Sequence, residues 1–172
     1  MLAGATACGI CLLEFADRRG LPTEYAALRA QLGLPGERAT AGEANAAACG
    51  HLDALAAELA AYFEQKLSAF TIPLDPRGTP FDRRVWDELL RIPYGATMSY
   101  GQLAAKVGSP GGARAVGRAN GRNCIAIVIP CHRVIESTGA LRGYGGGLDR
   151  KRALLELEGA LAGKGEGLFA AL

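Results

Sequence analysis

The stretch Asp75-Pro76-Arg77-Gly78 divides the chain more sharply than any other. Proline fixes φ and removes a backbone donor, and glycine adopts conformations closed to other residues, so this stretch interrupts helix and strand alike. The charge changes sign at the same place. Residues 1–76 carry 5 basic and 9 acidic side chains, residues 77–152 carry 13 and 5, and residues 153–172 carry 1 and 3. The net charge of +2 therefore hides a strongly basic block after the break. Most of the 24 glycines also lie beyond it. Together these predict two units, 1–76 and 77–172, in a chain whose 172 residues can bury a real core. A block this basic suits a polyanion, or else a solvated face balanced by the acidic half; charge alone does not choose.

With 49% hydrophobic and 21% charged residues, the composition is that of a soluble globular protein. No apolar run approaches the roughly 20 residues that cross a bilayer. The opening MLAGATACGICLLEFADRR lacks a basic leader and carries Glu14 and Asp17, so it reads as a strand rather than a signal peptide. Five cysteines (Cys8, Cys11, Cys49, Cys124, Cys131) in no framework spacing argue for free thiols and a reducing compartment, the cytoplasm. Cys8, Cys11, Cys49 and His51 are four nominal zinc ligands. Cys8 and Cys11 lie three apart in an expected strand, however, where their side chains face opposite ways, so packed thiols are the better reading and no metal is expected.

A buried strand is expected over 7–15, ended by a charged turn through Gly20. Thr23 then caps a helix closed by Gly33. A longer helix over 43–66 places Leu52, Leu55, Leu59, Tyr62 and Phe63 on one core stripe. Residues 70–74 read as an edge strand, because Pro73 excludes a central position. After the break, Thr79-Pro80-Phe81-Asp82 is a capping box with proline at the first helical position. That helix stops before Pro93. A last helix over 148–158 is closed by Gly159, and a glycine-rich tail over 163–167 is expected to be loose.

Between these lie two short helices. Ser99 caps the first, and Gly108-Ser109-Pro110-Gly111-Gly112 turns the chain into the second, the helix-turn-helix pattern. Between Arg114, Arg118 and Arg122 the second helix is mostly alanine and glycine, including Ala113, Ala115 and Gly117. Small residues allow close approach to a partner surface while the arginines supply charge. The competing reading is a glycine-rich helix packed against another helix; the surrounding basic block favours nucleic acid.

The buried run 125–128 leads straight into Pro130-Cys131-His132-Arg133. Cys131 and His132 could be a nucleophile with its base, two metal ligands, or packed residues. Two ligands are too few for a metal. Packing alone leaves a histidine and an arginine that are expensive to bury without partners. Pro130 is expected to hold the chain extended, so that neighbouring side chains diverge and His132 does not touch the sulfur. A nucleophilic reading therefore needs a bridging water, and a carboxylate to orient the imidazole.

The segments IAIVIPCHRVI, ARAVGRANGRN, PYGATMSYGQLA and GYGGGLDRKRALLELEG occur in this order and resemble the 6-O-alkylguanine-DNA alkyltransferases. These are also called methylated-DNA–protein-cysteine methyltransferases. The resemblance covers residues 79–159, and the opening segment is similar to the matching domain of bacterial Ada-type members. It implies an α+β fold: a ribonuclease H-like N-terminal α/β domain, then a mostly helical, winged-helix-like domain holding the helix-turn-helix. The chain begins almost inside the first strand, which is therefore expected to be trimmed. It carries no cysteine-rich phosphotriester-repair module, so only the guanine-repair half of an Ada-type protein is expected.

The resemblance further implies that Cys131 takes the alkyl group from 6-O-alkylguanine or 4-O-alkylthymine in DNA, one protein molecule per lesion. Glu158, His132 and a water would activate it. Tyr100 matches the family donor to the leaving base, and Asn123 the hinge between the recognition helix and the active-site segment. Pro130, Val134, Tyr144 and Gly145 would shape the pocket; many relatives have serine at the position of Gly145. Arg114 matches the arginine that fills the space of the flipped base, with Ala113, Ala115, Gly117 and Arg118 in the minor groove of double-stranded DNA. A monomer is expected, with no soluble cofactor and no membrane. Two alternatives are an alkyltransferase-like lesion-binding protein, in which another residue replaces the PCHRV cysteine, and a cysteine hydrolase. The hydrolase gives no use for the small-residue helix.

Overall fold

The computed structural model describes residues 1–33 and 46–161. The expected start of the long helix at Glu43 and the glycine-rich tail over 163–167 lie outside the described residues.

The opening segment forms a hairpin rather than one strand: β1 (Leu2–Thr6) pairs antiparallel with β2 (Gly9–Glu14). Every residue of β2 is buried: α2 (Ala46–Phe63) packs on the hairpin, Leu13 bridges to Ile125, and Cys11 and Leu12 cluster with Leu21 and Leu28. Helix α1 (Leu21–Gln31) starts two residues before Thr23, with Gly20 at the N-cap and no side-chain cap. Pro22 explains the shift, since its fixed φ suits the first helical turn and makes a hydroxyl cap unnecessary. Helix α2 ends with Gln65 at φ 58° and Lys66 N donating to Ala61 O. The strand expected over 70–74 shrinks to a bridge between Leu74 and Ile10. Ile10 N donates to Pro73 O, but Pro73 has no N–H with which to extend the ladder.

Helix α3 (Pro80–Leu90) has the expected capping box: Asp82 N donates to Thr79 Oγ1 at 3.2 Å, and Thr79 N donates to Asp82 Oδ2 at 3.2 Å. The two-residue strand β3 (Met98–Ser99) precedes α4 (Tyr100–Lys106), where Ser99 and Gln102 form a second capping box. A glycine-rich turn leads to α5 (Ala113–Gly121), which packs on α3 and α4. Trp86 Nε1 donates to Ala119 O at 2.9 Å, fixing α5 against α3. Strand β4 (Val134–Ile135) pairs parallel with β3, and α6 (Leu148–Leu157) closes the described chain. Its end is a Schellman motif, with Gly159 at φ 72° and Ala160 N donating to Leu155 O.

The fold is α+β, with one shared core. Ile10, Leu13, Leu55 and Ile72 from before the break pack in one cluster with Trp86, Val116, Ile125 and Val134 from after it. Residues from both sides of the break at Asp75–Gly78 thus meet in one cluster. Among the described residues no helix is long and apolar enough to cross a membrane.

Candidate active site

The path into Cys131 is bent, not extended. Val128 N donates to Ala126 O across Ile127, whose φ is 71°, and Cys131 N donates to Ile129 O across Pro130 at φ −82°, ψ 61°. These are consecutive γ-turns, the second of the common inverse type. A β-branched residue at positive φ costs about 1–3 kcal/mol and persists only where packing imposes it; Ile127 is fully buried. Cys131–Arg133 then forms a 3₁₀ turn instead of the expected extended backbone. Successive side chains in that turn are about 120° apart. Cys131 and His132 therefore still diverge, for a different reason.

His132 points to a buried cluster around Glu158, whose side chain is fully buried. His132 Nε2 lies 3.0 Å from Glu158 Oε1. Arg133 donates to both carboxylate oxygens at 2.8 Å, and Tyr62 OH donates to Oε1 at 2.7 Å. Gly95 N reaches Oε2 at 3.4 Å. Burial works to raise the Glu158 pKa, but His132 and Arg133 outweigh it and hold the carboxyl at about 2. Burial pulls the His132 imidazole below its ordinary value, against the pull of Glu158, so the ring is neutral at pH 7. An ionised carboxylate only accepts, so Nε2 carries the proton and Nδ1 is the acceptor. Nδ1 is buried and has no hydrogen-bond partner among the described residues.

The sulfur faces the other way, and 6% of Cys131 is exposed. Asn123 Nδ2 lies 3.2 Å from Sγ and also donates to Ile129 O at 2.9 Å, while its Oδ1 accepts from Ile125 N at 3.0 Å. Asn120, on α5, donates to Cys131 O at 3.3 Å. Burial pushes the thiol up to about 11, opposed by the Asn123 contact. The small cavity at the sulfur is walled by Asn120, Asn123, Tyr144, Gly145 and the pair Glu14–Arg18. The Tyr144 hydroxyl and Asn120 Oδ1 are buried there without partners among the described residues.

A cleft of about 610 Å³ adjoins this cavity, lined by Tyr100, Ala113, Arg114, Gly117, Glu136 and Tyr144 among others. That volume falls within the range of roughly 300–1,000 Å³ of small-molecule sites. Arg114 and Arg118 are exposed on α5, with no ion pair among the described residues, and Ala115 is half-buried. Arg122 differs from the expectation that all three arginines serve as free charge: it is held by Asp82, tying α5 to the start of α3. Tyr100 OH donates to Arg142 O at 3.2 Å, and burial raises its pKa to about 12. Two of the expected pocket residues lie elsewhere. Pro130 lines a separate cavity with Tyr94 and Arg133, and Val134 is buried in the core with its carbonyl accepting from Lys151.

The residues themselves brought Cys131 and His132 forward, and the resemblance added Asn123 and Glu158; Arg133 was noted only as a charge in need of a partner, and Tyr62, Asn120, Lys151, Glu14 and Arg18 were missed. Arg133 carried a signal, since a charge inside an apolar run demands a partner. Lys151 carried none, though its buried amine joins Val134 O and Arg142 O at 2.6 and 2.7 Å.

The family model for the DNA-binding domain of 6-O-methylguanine DNA methyltransferase matches residues 80–160. A methylated-DNA–protein-cysteine methyltransferase of Mycobacterium bovis is 62% identical over 101 residues, 59% of this chain and 61% of the relative. One from Salmonella typhimurium is 55% identical over 108 residues, 62% of this chain and 63% of the relative. The chain thus aligns with less than two thirds of these curated relatives. A crystal structure of Mycobacterium tuberculosis OGT in complex with DNA superposes with a TM-score of 0.72 at 42% identity, covering 92% of this chain and 85% of that one. That match extends across both halves of the chain. With PCHRV bent into a buried thiol beside the Asn123 amide, and a solved homologue matched along most of its length, the chain belongs to the 6-O-methylguanine-DNA methyltransferase family.

Proposed function

We propose that the protein repairs DNA by moving a methyl or larger alkyl group from 6-O-alkylguanine, and from 4-O-alkylthymine, onto Cys131. The observation that carries this is one arrangement: a buried thiol with an asparagine amide at 3.2 Å, followed at the next residue by an imidazole backed by an ionised carboxylate. The thiol proton passes to His132 Nδ1 through one water. The sulfur attacks the alkyl carbon in line as the carbon–oxygen bond breaks, and that electron pair goes to guanine oxygen 6. The proton finally returns to the base, leaving S-alkylcysteine and normal guanine. No soluble cofactor enters the balance.

Burial changes the expected role of the relay. With the thiol pushed to about 11 and the imidazole neutral, a standing thiolate is scarce at pH 7. The relay instead acts as the alkyl group arrives, when the fixed charge of Glu158 stabilises the imidazolium being formed. The same burial keeps the thiol from adventitious oxidation and alkylation, which follow thiolate character and exposure.

The target atom lies inside the duplex, so the nucleotide must be flipped out, at a cost of a few kcal/mol. Helix α5 would lie in the minor groove, with Ala113, Ala115 and Gly117 allowing close approach, Arg118 near phosphate and Arg114 in the gap left by the base. Tyr100 would then give up its loop carbonyl for the leaving base, with Tyr144 and Gly145 as pocket wall. We retain two domains, 1–76 and 77–172, on the change of composition at Gly78. The hairpin with α1 and α2 suits a ribonuclease H-like unit, and α4, α5 and the β3–β4 pair suit a winged-helix-like one. The five free thiols fit a reducing compartment, the cytoplasm, and the protein would act as a monomer.

Incubation with a duplex carrying 6-O-methylguanine, then intact mass and peptide mapping, tests the proposal. One methyl per protein, on Cys131 alone and absent in Cys131→Ser, is expected. A methyl on Cys124, or DNA binding with no mass gain, would overturn it in favour of another acceptor or of a lesion-binding protein without chemistry.

A further inference from the structure

Arg18 comes from the N-terminal half, yet its guanidinium reaches the wall of the sulfur cavity. Its side chain is 8% exposed, and its two terminal nitrogens make four hydrogen bonds. Nη1 donates to Glu14 Oε1 at 2.5 Å and to Asn123 O at 3.4 Å; Nη2 donates to Glu24 Oε1 at 2.8 Å and to Gly121 O at 2.9 Å. Gly121 is the last residue of α5, so its carbonyl is one that a helix leaves without an internal partner, at the end where a cation is favoured. Asn123 is the residue whose amide touches Cys131 Sγ. One side chain thus joins the end of the small-residue helix to the backbone of the hinge, and two carboxylates hold that side chain in place.

A second observation gives the contact consequence. A Cβ placed on Gly145 would lie 2.6 Å from Arg18 Cζ and 2.6 Å from Nε. An arginine tip on the surface would swing aside. This one is pinned by Glu14, Glu24 and two carbonyls, so the glycine in the loop after Tyr144 leaves the space that the guanidinium fills. Glu14 shows how closely the pair is enclosed, since burial raises it to about 7 even with Arg18 beside it.

We propose that Arg18 is a positioning residue for alkyl transfer: by gripping Gly121 O and Asn123 O with one guanidinium, it fixes the Asn123 amide against the Cys131 sulfur, and Gly145 is the residue that makes room for it. The idea rests on the alkyl-transfer reading above. It gives the N-terminal half a part in the chemistry through one named side chain. A planar fork can span two carbonyls and two carboxylates at once, which an ammonium cannot.

The test uses Arg18→Lys, which keeps the charge beside Glu14 but loses the fork, and Gly145→Ser, which displaces the guanidinium without altering it. Transfer is measured on a 6-O-methylguanine duplex and on free 6-O-benzylguanine, and the pH profile of iodoacetamide labelling is mapped at Cys131. Both variants are expected to slow transfer on both substrates about tenfold, and to move the labelling profile to higher pH as the Asn123 contact loosens. A labelling profile identical to wild type in folded Arg18→Lys and Gly145→Ser protein, judged by thermal melts, would overturn the proposal even if transfer slowed. Were the wild type to transfer nothing from either substrate, the alkyl-transfer reading would fall, while the labelling profiles would still decide what Arg18 does to the sulfur.

Discussion

Replacing Glu158 by glutamine removes one charge from a network in which His132, Arg133, Tyr62 and the Gly95 amide all converge on that carboxylate. The fall in its pKa from 4.5 to about 2 corresponds to about 3 kcal/mol in favour of the ionised form in the folded protein. Glutamine keeps the shape but offers one acceptor oxygen and turns an NH₂ towards a guanidinium. Breaking a buried pair by removing one partner typically costs ~3–5 kcal/mol. We expect Glu158→Gln to lose about 3 kcal/mol at pH 7. Because the folded pKa lies below the unfolded one, the contribution of Glu158 is complete above about pH 4.5 and is lost as pH falls through 2. Urea titrations of both proteins at pH 7 and pH 3 read this directly, since the other carboxylates cancel in the difference. The gap should shrink to about half or less at pH 3. In the same variant DNA binding should survive while alkyl transfer slows roughly 100-fold or more, because the base, His132, loses the fixed charge that stabilises its imidazolium. A gap under ~1 kcal/mol at pH 7, or one that does not narrow on acidification, would refute the view that this carboxylate is held ionised by its buried partners.

Tyr62→Phe should cost ~1.5–3 kcal/mol in denaturant unfolding, since one hydroxyl donor to a charged group is lost, and should slow transfer far less than Glu158→Gln. Arg114→Ala should impair transfer from duplex DNA while leaving reaction with free 6-O-benzylguanine largely intact; equal losses in a two-substrate rate comparison would make Arg114 structural. Affinity for duplex DNA should fall steeply as salt rises in a fluorescence-anisotropy titration, because exposed Arg114 and Arg118 would neutralise phosphates. Stoichiometric methylation of Cys131 should lower the melting midpoint, since an extra carbon in a site this closely lined typically costs ~1–3 kcal/mol, or about 2–4 °C per kcal/mol for a chain of this size. An equal or higher midpoint would show that the cavity absorbs the methyl without strain.

Much of the local structure could be read along the chain, because its causes lie within a few residues of one another. Thr79 with Asp82 and Ser99 with Gln102 sit three apart and close capping boxes whatever surrounds them. Gly159 stops α6 because it alone of its neighbours enters the left-handed region freely. The reactive pair at Cys131 and His132 was visible for a similar reason: a thiol and an imidazole at the end of an apolar run are unusual in any fold. What tertiary structure alone decided depends on pairs far apart in sequence. Glu158 meets His132 across 26 residues and Tyr62 across 96, and Arg18 meets Asn123 across 105. No periodicity encodes such distances; they follow from how β2 and α6 pack on the segment between them. The bend at Ile127 belongs to the same class, since no local preference places a β-branched residue at positive φ. The state of the thiol is of the same kind, because the desolvation that pushes Cys131 to about 11 comes from the whole enclosing fold rather than from the residues beside it.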